Sequence, residues 1–315
     1  MRTYILKRLL LAIPTLAGAS LIVFVIVRLI PGDAVLLMMA ESPWVDKTQI
    51  GALRQYFGLD LPYHLQYLRW MRDVLRGDLG LSYWANTPVL DEILRRLPVT
   101  VELSLISIFI AAAMGLPIGV LSAVRQDSRL DYVVRILSIG GLSIPNFWLG
   151  ILVIVLPSIF WQWSPRMDYV TIAENPLRNL YQFIWPGMVL GVYLAASIMR
   201  ITRASMLEVL RQDYVRTAWS KGLPPLPVIA RHAVKNAMIP VITIAGVQFG
   251  FLLGGTVIIE RLFSLPGIGS LVLDAISQRD YPLLQGTILF ISFFYIMVNL
   301  AVDLSYGLFD PKIRY

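Results

Sequence analysis

The sequence predicts an all-α integral membrane protein of six transmembrane helices, with an extracytoplasmic segment between spans one and two and a structured cytoplasmic loop between spans four and five. Three observations predict it. First, of 315 residues 57% are apolar and only 15% are charged, and mean hydropathy is +0.68. A soluble chain carries about 25% charged residues and could not cover its surface with so few. Second, six long intervals hold no charge: Arg8 to Arg28, Glu102 to Arg125, Arg135 to Arg166, Arg178 to Arg200, Lys235 to Glu260 and Asp280 to Asp303, enclosing 19, 22, 30, 21, 24 and 22 residues. About 20 residues of helix cross a hydrocarbon core, whereas buried helices of soluble proteins are shorter and keep a polar stripe. Third, 15 of the 27 Lys and Arg lie at the two termini and in the connections after spans two and four. That bias puts both termini in the cytoplasm and assigns the net charge of +7 to orienting loops, not to nucleic acid.

The elements follow in order. Residues 1–30 form the N-terminus and first helix; the uncharged stretch after Lys7-Arg8 is longer than a signal-peptide core, so this helix is expected to remain uncleaved. Residues 31–97 form the extracytoplasmic segment, which opens on the turn Pro31-Gly32-Asp33. Within it, Tyr63, Tyr67, Trp70 and Val74 recur at helical spacing between Asp60-Leu61-Pro62 and Gly77, predicting an amphipathic helix. Its aromatic side suits either the headgroup region or the protein's own outer surface. A second short helix, Pro88 to Leu97, is expected to lead into span two at Pro98.

Residues 98–315 form a five-helix core. Pro145, after Gly140 and Gly141, interrupts span three. The basic loop at 201–237 contains a short helix from Asp213 to Lys221, closed by Gly222 in the place of a left-handed C-terminal residue. Tyr214, Val215, Ala218 and Trp219 share one of its faces. Leu223-Pro224-Pro225 ends the helix, and a second one restarts at Val228 and runs into span five at Pro240.

Much chemistry is excluded. There is no cysteine, and the two histidines, His64 and His232, fall in loops on opposite sides of the membrane, so no thiolate, disulfide or histidine metal pair is expected. No phosphate-cradling Gly-rich loop, nucleophile elbow or His-Glu-x-x-His occurs. The chain is not expected to be an enzyme by itself, nor to carry a cofactor. Polar residues inside spans are few: Asn146, Gln182, Gln248, Asn299 and Asp303. Such groups serve helix–helix hydrogen bonding or face a water-filled path; Asn146, Gln248 and Asp303 are the candidates for a translocation pathway. Gly246, Gly250 and Gly254 form a small-residue ridge suited to packing or a narrow gate.

Several motifs occur in order along the chain. They are Lys7-Arg8-Leu9 with Ile13-Pro14, Pro31-Gly32-Asp33, Gly58-Leu59-Asp60-Leu61-Pro62, Arg76-Gly77-Asp78-Leu79-Gly80, Ser143 to Trp148, Phe263 to Gly269, Arg279-Asp280-Tyr281-Pro282 and Asp310 to Tyr315. Together with Thr217-Ala218, Gly222, Arg231-His232-Ala233 and Asn236 to Pro240, the pattern resembles the first (B-type) permease subunit of dipeptide, oligopeptide and nickel ABC importers, and the loop resembles their cytoplasmic "EAA" loop. Arg216 stands where the general motif has glutamate and Thr217 where it has alanine.

The resemblance implies a bacterial or archaeal cytoplasmic-membrane permease forming half of a pore with a second homologous permease. It implies two ABC ATPase subunits that hold ATP and Mg, and an extracytoplasmic solute-binding protein. The ATPase-coupling residues it implies are Tyr214, Arg216, Thr217, Ala218, Trp219, Lys221, Gly222, His232 and Asn236. Dipeptides or oligopeptides are the expected cargo, with nickel, glutathione or oligosaccharides as alternatives. A different reading of the same spans, an ion-coupled secondary transporter or channel, needs intramembrane acids or an internal repeat, and the spans supply one acid, Asp303.

Overall fold

The computed structural model describes residues 2–29, 35, 50–166 and 168–309. The predicted turn at Pro31-Gly32-Asp33 and the Asp310 to Tyr315 motif lie outside them. Twelve α-helices are described in chain order: α1 Arg2–Leu29, α2 Ile50–Tyr56, α3 Tyr63–Val74, α4 Val89–Val124, α5 Arg129–Ser143, α6 Asn146–Trp161, α7 Pro176–Leu210, α8 Asp213–Ser220, α9 Lys235–Gly255, α10 Val257–Leu262, α11 Ile268–Gln278 and α12 Tyr281–Phe309. A turn at Pro225–Pro227 and a wide π-helical stretch, Val228–Val234, lead into α9. Among the described residues the β pairing is one isolated bridge, Leu81 with Pro88.

Among the described residues, five helices are long and apolar enough to span a membrane: Ile5–Leu29, Val89–Val124, Pro176–Leu210, Pro225–Gly254 and Tyr281–Leu304. The third predicted span is not one helix. Arg129–Ser143 and Asn146–Trp161 meet at 91°. The cause is local: Pro145 has no N–H to continue the ladder, and the residue before it, Ile144, is extended at φ −89°, ψ 122°.

Other boundaries differ from the sequence reading. α4 runs unbroken through Pro98 and Pro117, so Pro88 to Leu97 is the first part of span two, not a separate helix. α7 continues to Leu210, so the predicted loop at 201–237 begins as a continuation of span four.

α4 and α7 pair along the most extensive helix interface. Their closeness rests on small residues: a Cβ on Gly191 would come within 2.7 Å of Ile110, and one on Gly119 within 2.8 Å of the Met199 carbonyl and Thr202. The main core, with Leu103, Phe183, Leu190, Leu194 and Ile198, grows from this pair. α9 packs on α12 through the predicted ridge, with Gly246 against Val302, Gly250 against Tyr295 and Gly254 against Ile291, so the ridge serves close packing.

α3 lies against α1. Tyr67 and Trp70 pack on Phe24, and the Tyr67 hydroxyl is 3.0 Å from the Ser20 hydroxyl. Arg28 Nε donates to Gln66 Oε1 at 3.0 Å, and its guanidinium lies 4.6 Å from the ring centres of both Phe24 and Tyr281. The aromatic side of the amphipathic helix therefore covers the protein's own first span.

Candidate functional site

The loop after α7 is built around a small apolar knot. Val215 and Ala218 of α8 are buried with Val228 against Val209 and Leu210, which fixes α8 to the end of α7 and to the π-helical stretch. Ala218, which shares a helix face with Tyr214 and Trp219, thus faces the chain's own interior. Tyr214 and Trp219 flank this buried strip and stay 45% and 41% exposed. The opposite side is polar: Arg216 pairs with Asp213 at 3.4 Å, and the Thr217 hydroxyl donates to the Asp213 carbonyl at 2.9 Å. The free surface of α8 is a polar crest with an aromatic edge on either side.

The exit from α8 is sharp. Lys221 caps the helix, and Gly222 follows at φ +74°, its N–H donating to the Trp219 carbonyl at 2.9 Å. Nothing lies within 4 Å of a Cβ built there, so backbone conformation alone selects glycine. Asn236, at the start of α9, donates to the Tyr214 hydroxyl at 3.0 Å and to the His232 carbonyl at 2.8 Å. The structure therefore gathers Tyr214, His232 and Asn236 around one side of α8, with Arg216, Thr217, Lys221 and Gly222 on its accessible surfaces.

The three candidate pathway residues are not gathered in this way. Asn146 opens α6 just past the bend, Gln248 lies midway along α9, and Asp303, near the end of α12, pairs with Arg8 of α1 at 2.7 Å. The Asp303 carboxylate is engaged in joining two helices, a structural duty that the uncharged stretch around it did not reveal.

Three buried carboxylates were missed as organising residues. Near the loop, Asp131 is fully buried and takes both Nε and Nη2 of Arg203 at 2.6 and 2.7 Å, the Ser122 hydroxyl, and the Asp127 N–H at 3.1 Å. This one carboxylate ties the end of α4, the start of α5 and the last turns of α7. Its one sequence signal is Ser128-x-x-Asp131, a helix-start pattern in which the Ser128 hydroxyl accepts from the Asp131 N–H.

At the opposite end of the bundle, Glu260 accepts from the hydroxyls of Thr100 and Thr256, both at 2.7 Å, and from the Ser270 N–H at 2.9 Å. A Cβ on Gly267 would come within 2.4 Å of its carboxyl carbon, and one on Gly269 within 2.9 Å of an oxygen, which accounts for both glycines of the Phe263 to Gly269 motif. Asp280, also fully buried, accepts from the Ser82 hydroxyl at 2.6 Å and the N–H groups of Tyr83 and Leu283 at 3.0 and 3.2 Å. Burial pushes the Asp280 carboxyl above its ordinary range, against the pull of those donors.

The matches to known sequences span the chain. Residues 115–315 match the model of the binding-protein-dependent transport system inner membrane component, and residues 1–104 match the model of the N-terminal part of such membrane components. The chain belongs to the binding-protein-dependent transport system inner-membrane permease family. It is thus a multi-pass inner-membrane protein and a membrane subunit of an ABC transporter.

Among relatives of this permease, the dipeptide transport system permease protein DppB of Escherichia coli K12 is 40% identical over 338 aligned positions, covering 100% of this chain and 99% of the relative. A protein of Sinorhizobium fredii, named as a probable peptide ABC transporter permease, is 39% identical with both chains fully covered. Among solved structures, the inward-facing MetNI methionine ABC transporter aligns with a TM-score of 0.55 at 16% identity, over 70% of this chain and 97% of that one. That likeness is one of fold. The loop around α8 and Gly222 is one of the stretches, spread along the chain, that carry the sequence resemblance.

Proposed function

We propose that this chain is the peptide-conducting permease of a binding-protein-dependent ABC importer, forming half of the translocation pore. The observation that carries the reading is the end-to-end similarity to the Escherichia coli dipeptide permease, 40% identical with 100% of this chain covered. In this reading the termini and the loop with α8 are cytoplasmic, and residues 50–88 face outward, toward a solute-binding protein. A second homologous permease completes the pore. Two ATPase subunits bind ATP and Mg and do the hydrolysis, while this chain is non-catalytic.

The mechanism then follows from the loop. The polar crest of α8, edged by Tyr214 and Trp219, seats in a groove of an ATPase subunit. The buried knot of Val215, Ala218 and Val228 makes α8 move as one piece with the end of α7 and the π-helical stretch that leads into α9. Closure of the ATPases pushes on α8 and swings these spans between inward and outward access. The Asp131–Arg203 pair keeps α4 and α5 in step with α7. A push on a loop drives transport only where its contacts differ between two global states, and the α8 surface is where such contacts form.

Reconstitution tests it. Vesicles holding this chain, its partner permease and both ATPases, supplied with the binding protein, should accumulate labelled dipeptide only with ATP. Uptake by this chain without ATPases, driven by an ion gradient, would overturn the reading. Topology is tested by a cysteine at His64, which is exposed on α3. A membrane-impermeant thiol reagent should label it in intact spheroplasts; labelling only after lysis would invert the orientation.

A further inference from the structure

Between α1, α3 and α12 lies an apolar groove of about 420 Å³, lined by Ile13, Leu16 and Ala17, by Met71, Val74, Leu75 and Leu79, and by Leu289, Phe290 and Phe293. The α1 and α12 residues lie inside membrane spans, so water is not its natural content. A further helix does not fit either. A helix about 10 Å across with a 5.4 Å pitch occupies roughly 420 Å³ per turn, so the groove would hold one turn of it. A single hydrocarbon chain is narrow enough to lie along it.

The helix roofing the groove indicates what such a chain is attached to. On the exposed side of α3, Leu65 and Leu68 are 42% and 61% exposed, and Leu75, just past its end, is 80% exposed. Arg69, Arg72 and Arg76 are exposed among them, with Arg72 held by the weak surface contact to Asp73 at 3.1 Å. By 3.6-residue periodicity Leu68, Arg72, Leu75 and Arg76 form one stripe beside the groove-lining Met71 and Val74. Leucines mixed with arginines on one side of a helix fit an interface of acyl chains and anionic headgroups.

We infer that the groove is a binding site for an anionic phospholipid, one acyl chain lying between α1 and α12 and the phosphate held by Arg72 and Arg76. The site would tether α3 to the bilayer on one side while its aromatic side holds α1.

The natural absence of cysteine makes the test direct. Leu16→Cys places a fluorophore in the groove, and Ile22→Cys, 61% exposed on the same helix, reports ordinary surrounding lipid. Both would be studied in the chain co-purified with its partner subunits and reconstituted into vesicles, with co-purification confirming assembly. The groove probe should be quenched preferentially by phosphatidylglycerol brominated on its acyl chains over the matching phosphatidylcholine; the Ile22 probe should show no preference. Each arginine near an anionic lipid contributes about 1 kcal/mol, so Arg72→Gln should reduce the preference roughly fivefold. Ala17→Trp, which fills the groove, should abolish quenching at Leu16 and leave it at Ile22. Equal quenching of both probes by both lipids would mean ordinary surrounding lipid only. No quenching at Leu16 would mean that protein, such as the second permease, fills the groove. Either result overturns the proposal.

Discussion

Replacing Gly222 separates a backbone requirement from a docking surface. Its φ of +74° costs an ordinary residue with a Cβ about 1–2 kcal/mol. A built Cβ meets nothing within 4 Å, so within this chain the cost is one of backbone conformation, somewhat larger for β-branched valine than for alanine. A difference of 1–2 kcal/mol is roughly a 5- to 30-fold change in the population of the docked conformation. If α8 seats in a partner groove, valine adds steric exclusion that alanine lacks. The expected order of ATP-driven uptake is therefore Gly222 first, then Gly222→Asn, which tolerates the left-handed region, then Gly222→Ala, then Gly222→Val. The assay is peptide uptake and ATPase co-purification from membranes, with immunoblotting to confirm equal insertion. Nearly equal loss in Ala and Val would confine the effect to the turn. Normal recruitment and uptake in all three would refute both the strain argument and the assignment of α8 as the coupling element.

Other perturbations have equally defined outcomes. Asp131→Ala strands Arg203, whose side chain is 19% exposed, and should cost about 3 kcal/mol, read as lower yield and melting temperature; Asp131→Leu with Arg203→Met should recover most of it. Gly267→Ala should lower stability more than Glu260→Gln, because its Cβ would sit 2.4 Å from the Glu260 carboxyl carbon whereas glutamine keeps the shape; the two melting temperatures decide. For Asp280, the carboxyl is raised in the folded state, so its stabilising effect is full below the ordinary carboxylate pKa of about 3.9 and is lost as pH rises through the raised value. The melting temperature of the natural protein relative to Asp280→Asn should accordingly fall from pH 4 to pH 7; a flat difference would contradict it.

Hydropathy and proline placement made much of this architecture legible. Uncharged length located the long helices, and Pro145 marked the bend in span three because its effect is local and steric. Gly222 was equally readable, since a positive φ after a short helix is a backbone demand. What the sequence concealed depends on distant partners. Pro98 leaves α4 unbroken because tertiary packing overrides the local preference. Ala218 shared a face with Tyr214 and Trp219, but periodicity does not say which part of a face its own chain will cover. Asp303 stood out as the lone acid of a span, yet its meaning lay in Arg8, 295 positions away. Glu260 and Asp280 sat at the ends of uncharged runs and were read as boundaries, and Asp131 lay in a charged connection between spans, when burial makes all three the points where helices are joined.

The π-helical stretch Val228–Val234 makes the join between the loop and α9 a matter of phase. A π turn holds one residue more than the α turn it replaces, so seven residues here carry an added one without breaking the helix. Excising a single residue, such as Ala230, would let the stretch relax to ordinary α geometry with its flanks nearly in phase, whereas excising a second would turn everything before it by about 100° about the helix axis relative to α9. Asn236 and Tyr214 would lose their alignment, although every residue that forms the α8 surface would remain. The direction in which that surface points is thus counted out by chain length as much as by side-chain identity, and lengths of this short connector are under a constraint that substitution tables do not register.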